Sequence, residues 1–238
     1  PIYEKFNEGD IDFAFTSFSE GNTIFSWATL GKGNVNFDYS IFNGHIALLN
    51  LKNIDHLQSF SFRHATFKQS FNISNNHFNL IPDLTYTQIT NQFSLETLKC
   101  KPKFSRSQGC FKFQVADDKE DIPRLRRLKE IAEENKDHER ALDFHAWEMR
   151  AKRWHVNTSF WGLLLDYSFD FFSDYGRSEK RPLFGLFVTW LLFSIPYFLL
   201  SPVKHFGFNG GVEKFSEALS FSASQMIPFT PGSRLARS

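Results

Sequence analysis

The sequence predicts a β-solenoid followed by an α-helical hairpin and a transmembrane helix, and three observations carry that prediction. Large apolar residues stand in pairs five apart between residues 13 and 89. Past residue 116 the composition turns to dense charge of both signs. Residues 182 to 203 then run for 22 positions without a charge.

The pairs are Phe13/Phe18, Phe25/Leu30, Phe37/Phe42, Leu49/Ile54, Phe62/Phe67, Ile73/Phe78 and Leu84/Ile89, and their first members lie 12, 12, 12, 13, 11 and 11 residues apart. A helix brings together residues three, four or seven apart and a flat strand favours even spacings, so a spacing of five belongs to neither. It is an internal repeat, whose units bury their apolar faces only by stacking on one another. Two positions before each second member stand Thr16, Ala28, Ser40, Lys52, Ala65, Asn76 and Thr87, all short except Lys52. A large residue every fifth position with a small one two before it suits a chain that turns a tight corner after each short strand. The large side chain fills the axis of the coil and the small one fits where little room remains. Lys52 marks the fourth unit as bulged. A β-sandwich would show strict alternation and turn signals without the fivefold spacing.

These residues resemble the pentapeptide-repeat family, with Phe in place of Leu at the centre and one or two extra residues between pairs. The resemblance implies a right-handed quadrilateral β-helix, placed here over residues 11–116, with two sequence units to each coil. Some members of that family imitate DNA. Residues 1 to 116 carry 10 lysines and arginines against 9 aspartates and glutamates, so the strongly negative surface that mimicry needs is absent. The whole chain has a net charge of +1, which also argues against general nucleic-acid binding. Cys100 and Cys110 in "CKPKFSRSQGC" are read either as a disulfide closing a polar hairpin or as two free thiols. The chain starts at Pro1, which reads as a fragment or a processed chain.

Residues 117–156 follow as a helical hairpin. Asp121 reads as an N-cap before Pro123, and Leu125, Leu128, Ile131 and Ala132 recur at helical spacing. "ENKD" breaks the helix and Asp137 starts the second one, with Ala141, Phe144, Glu148 and Lys152 on one side. His145 and Glu148 lie one turn apart, but a lone pair on a helix reads as structural rather than as a metal site. Residues 160–176, "FWGLLLDYSFDFFSDYG", predict an amphipathic interfacial helix in which Asp166, Asp170 and Asp174 form one narrow polar stripe.

The uncharged run at 182–203 would reach about 33 Å as a helix, enough for a hydrocarbon layer of ~30 Å. Arg177, Lys180 and Arg181 crowd its start, so the positive-inside tendency puts the solenoid on the cytoplasmic side. Residues 212–230 predict a short segment that resembles the pore helix of two-helix channels. Together with the span it resembles a group of bacterial pentapeptide-repeat membrane proteins with a channel-like C-terminal module, which implies the bacterial inner membrane. No T-V-G-Y-G filter follows, so potassium selectivity has no support.

No Gly-rich phosphate loop, G-x-S-x-G elbow or H-E-x-x-H pair occurs, and "GKGN" lies inside the repeat. The sequence therefore predicts a non-enzymatic protein with no catalytic, cofactor-binding or metal-binding residue and no cofactor. Its expected partners are the lipid bilayer and a protein on the sides of the β-helix, with assembly as a homo-oligomer. The alternative expectation is an oligomeric ion channel gated or assembled by the β-helix.

Overall fold

The computed structural model describes residues 9–106, 114–156, 159–200, 215–216 and 219–220. The chain divides into two units, one of residues 1–170 with 175–177 and one of residues 171–174 with 178–238.

The first unit begins with a β-solenoid of about four turns. Its first turn carries β1 (Ile11–Asp12), β2 (Ser17–Phe18) and β3 (Thr23–Ile24), and the second carries β4 (Gly33–Asn36), β5 (Ile41–Phe42) and β6 (Ile46–Ala47). The third carries β7 (Leu57–Ser61), β8 (Thr66–Phe67), β9 (Phe71–Asn72) and β10 (His77–Phe78), and the last carries β11 (Gln88–Ile89), β12 (Phe93–Ser94) and β13 (Lys99–Cys100). These strands form four parallel sheets, β1-β4-β7, β2-β5-β8-β11, β3-β6-β9-β12 and β10-β13. Ile11 pairs with Val35, Val35 with Phe60, and Thr66 with Gln88, so a turn takes two sequence units as the repeat implied.

Inside, like residues stack on like at roughly the ~4.8 Å strand spacing. The rings of Phe13, Phe37 and Phe62 follow one another at 5.3 and 4.8 Å, and those of Phe18, Phe42 and Phe67 at 4.5 and 5.1 Å. Ala28, Ser40, Ala65, Asn76 and Thr87 are buried, as the small inward positions require. Asn76 earns its place by donating to the Leu48 and Ile73 carbonyls at 2.6 and 2.8 Å and accepting from the Leu51 amide at 2.8 Å.

The fourth unit corrects the sequence register. Leu48, not Leu49, is buried in line with Ile73, and Leu51, not Lys52, points inward. The cause is a shortened corner: β2 pairs with β5 at an offset of 24 (Ser17↔Ile41), but β3 pairs with β6 at 23 (Thr23↔Ile46). Gly44 makes that corner, where an added Cβ would lie 2.0 Å from the Gly21 carbonyl oxygen. The chain recovers length in a 3-10 turn at Ile54–His56 and a bulge opposite Gly33 and Asn34.

Past the solenoid, β14 (Phe104–Arg106) and β15 (Gln114–Ala116) form an antiparallel pair. Cys100 is a buried free thiol, pushed well above the usual thiol range by burial; Cys110 lies outside the described residues. The helical hairpin is α1 (Asp121–Glu134) and α2 (His138–Lys152), with Asp137 accepting the Arg140 amide at 3.1 Å as the expected cap. Asp121 is not the cap of α1; it lies inside the first turn, buried against Arg124. Ile122, Leu125 and Leu128 close the last turn of the solenoid and join its core. Arg124 pairs with Asp83 at 3.2 Å, and Arg127 donates to the Thr87 carbonyl at 3.1 Å, which ties α1 to that turn.

α3 spans Phe160–Ser173 and α4 spans Lys180–Leu200. Among the described residues no helix is long and apolar enough to cross a membrane, so the expected transmembrane helix is not found there. The charge-free part of α4, Pro182 to Leu200, makes about 28 Å of helix at ~1.5 Å per residue, just under the ~30 Å of a hydrocarbon layer, and it carries Pro196 within it. Residues 201–203 of the expected span lie outside the described residues. So does the expected pore-like segment at 212–230, apart from Phe215, Ser216, Leu219 and Ser220, which are helical.

Candidate functional site

Two surfaces carry side chains that folding alone does not call for. The first is α3, whose polar stripe turns inward. Arg153 donates from Nε to Asp166 Oδ2 at 2.5 Å and from Nη2 to Asp170 Oδ2 at 2.9 Å, and Arg150 reaches Asp170 Oδ1 at 2.6 Å. The Tyr175 hydroxyl donates to Asp166 Oδ1 and accepts from Arg153 at 2.8 Å. Arg153 also lies over the Tyr167 ring, 4.0 Å from its centroid. Burial would lift the Asp170 carboxyl, but its bonds to Arg150 and Arg153 hold it below the usual carboxylate range. Burial likewise opposes the charge on Arg153, and the bonds from Asp170, Asp166 and Tyr175 outweigh it.

With its carboxylates bound by Arg150 of α2 and by Arg153 just after it, α3 presents apolar side chains outward. Phe160, Trp161 and Phe169 are 72%, 70% and 62% exposed, and Leu164 and Leu165 lie between them in sequence, also exposed. This reverses ordinary amphipathicity, in which the charged face meets water. In the second unit, α4 exposes Leu183, Phe184, Leu186, Phe187, Leu192, Phe193 and Ile195. The same unit holds Asp174 against Arg181 at 3.8 Å, so the third aspartate of the stripe serves a different pair from the first two.

The second surface is a ladder of rings on one corner of the solenoid. Phe15, Tyr39, His64 and Tyr86 all adopt left-handed backbone, with φ of 57°, 58°, 59° and 59°. Their rings stack at 5.0, 4.7 and 4.8 Å with planes within 3°, 9° and 11°. Phe15 is 77% exposed and Tyr86 65%. Bulky residues are uncommon in this conformation, and Asn50 and Asn75 show the cheaper solution at another corner of the same molecule. A second corner, also left-handed, runs Trp27, Asn50, Asn75 and Thr97. The turn therefore does not demand rings. Because the rings cover one another, the four described rungs offer their edges along the ladder, and among the described residues a ring face is left uncovered by another ring only at Phe15 and Tyr86.

The residues weighed from sequence fall elsewhere. Glu148 is buried and bound by Lys152 at 2.7 Å and Arg126 at 3.2 Å. His145 lies one turn before it in α2 with its ring nitrogen Nδ1 buried and without a hydrogen-bond partner, and burial lowers its pKa. Gly33 and Asn34 of "GKGN" are ladder residues of β4. Among the described residues no group of three His, Cys, Asp or Glu side chains is placed to hold a metal ion. Sequence reasoning passed over the corner ladder, although its 24-, 25- and 22-residue spacing was visible beside the apolar pairs.

No family model matches the chain, and no curated protein and no solved structure matches it.

Proposed function

We propose that this chain is a non-enzymatic, membrane-anchored protein of the pentapeptide-repeat type, whose solenoid is an interaction platform held at a lipid bilayer by α3 and α4. The reversed amphipathicity of α3 carries this reading. A row of exposed Phe, Trp and Leu is costly in water and is favoured where aromatic rings enter the headgroup and acyl boundary. The inward carboxylates support the same reading, since they keep charge away from the face that would meet lipid. The charge-free run continues beyond α4 to Val203, and its 22 residues would suffice to cross. In this reading Arg177, Lys180 and Arg181 keep the solenoid on the cytoplasmic side of a bacterial inner membrane.

Flotation of the full chain with vesicles of phosphatidylethanolamine and phosphatidylglycerol tests the anchor. The chain is expected in the lipid fraction, and the triple variant Phe160→Ser, Trp161→Ser, Phe169→Ser is expected to shift at least partly to the soluble one. A wild-type chain that stays with the soluble fraction would overturn the membrane reading. Retention after alkaline carbonate separates a crossing helix from one lying on the surface.

A further inference from the structure

Tyr86 is the last rung of the ring ladder among the described residues, and no other described ring stacks beyond it. His64 stacks on one face of Tyr86 at 4.8 Å. Beyond the ladder lies a cleft of about 460 Å³, lined by Tyr86 and Arg63 from the solenoid and by Pro123, Arg126 and Arg127 from α1. That volume is within the range of small-molecule sites, about 300 to 1,000 Å³. The guanidinium of Arg63 lies over the Tyr86 ring, 5.5 Å from its centroid, and has no carboxylate partner among the described residues. Arg126 gives Nε to Glu148 at 3.2 Å while its side chain stays 56% exposed. Glu120 and Glu130 also line the cleft.

We propose that this cleft binds a planar aromatic ring bearing a single carboxylate. The ring stacks on Tyr86 as a fifth rung, at the spacing the four existing rungs already keep. The carboxylate meets Arg63 and Arg126, whose planar forks suit it. Arg127 is taken up by Glu130 at 3.2 Å and Glu120 adds a negative charge to the rim, so Arg63 and Arg126 are left to meet one singly charged group, which favours a carboxylate over a doubly charged phosphate. Such a group is supplied either by a small aromatic acid or by an aromatic residue at the C-terminus of a polypeptide. This inference deepens the platform reading and needs no membrane, so it can fail while the anchor stands, and the anchor can fail while it stands.

The test is calorimetric titration of the full chain in detergent with N-acetyl-tryptophan, its amide, N-acetyl-alanine, and the peptide Gly-Gly-Gly-Trp with a free C-terminus. The acid is expected to bind with a dissociation constant on the order of 0.1 to 1 mM, as its size allows, and the amide and the alanine compound at least tenfold more weakly. Tyr86→Asn, which keeps a residue tolerant of the left-handed backbone, and Arg63→Gln, which removes an exposed guanidinium and its contact with the Tyr86 ring, should each weaken the acid about tenfold or more. The peptide binding at least tenfold tighter than the acid assigns the site to a polypeptide end, and equal binding assigns it to a small acid. Absence of binding by both acid and peptide overturns the proposal, as does equal binding of acid and amide, or binding unchanged in both variants.

Discussion

Arg153 and Asp166 form an ion pair with side chains only 9% and 7% exposed, and that pair decides which face of α3 meets the outside. Arg153 follows α2 directly, so the end of one helix holds the polar stripe of the next. Breaking a buried pair leaves an uncompensated charge and typically costs about 3 to 5 kcal/mol. Arg153→Met is therefore expected to destabilise the chain by about that amount in chemical denaturation followed in detergent. The double variant Arg153→Met, Asp166→Leu should recover most of the loss. Equal stability of the single variant and the wild type would show that the pair does not hold α3.

Phe67 is fully buried, stacked between Phe42 at 5.1 Å and Phe71 at 4.4 Å. Phe67→Ala removes a ring from the centre of the solenoid and should cost roughly 3 to 5 kcal/mol through the cavity left behind. Tyr39→Asn, on the exposed corner ladder, should cost under about 1 kcal/mol, because Asn accepts the left-handed backbone and little burial is lost. Denaturant midpoints of the two variants measure the contrast. Similar losses from both would contradict the division between axis and corner.

Asp121 gives the stability a pH dependence of defined sign. Burial pushes its carboxyl up to about 6, even with Arg124 3.1 Å away. The folded pKa lies above the ordinary value of 3.8, so the unfolded chain ionises first as pH rises. Stability attributable to this group is full below about pH 4, falls between about pH 4 and 6, and stays reduced above, by about 1 to 3 kcal/mol. Asp121→Asn should remove that fall and be more stable than wild type at pH 7. Asp170 and Glu148, both held below the usual range, act in the opposite direction and lose their contribution as the solution is acidified. Denaturation of wild type and Asp121→Asn at pH 4 and pH 7 separates the two effects, and a difference that does not change with pH would refute the assignment to Asp121.

The repeat could be read from the chain because a solenoid stacks nearest neighbours. Phe13, Phe37 and Phe62 meet one another only by standing one turn apart, so their spacing in sequence is the geometry itself. That transparency ended where the length of one turn changed. Nothing local distinguishes Leu48 from Leu49; the choice follows from the close approach of Gly44 to the Gly21 carbonyl, a contact between residues 23 apart.

The sequence by itself determined the solenoid, the helical hairpin with its break before Asp137, and the existence of a helix with aspartates on one stripe. These rest on periodicity and capping, which act over a few residues or over one repeat. Only the tertiary structure decided which way the stripe of α3 faces. A helix with two aspartates on one stripe and many rings satisfies its pattern equally well with the carboxylates in water or bound, and the choice was made by Arg150 of α2 and by Arg153 just after it. The ladder of Phe15, Tyr39, His64 and Tyr86 was decided there too. Its residues share the one-turn spacing of the axis residues, but spacing alone does not place rings in contact; left-handed corners stacked one turn apart bring them face to face.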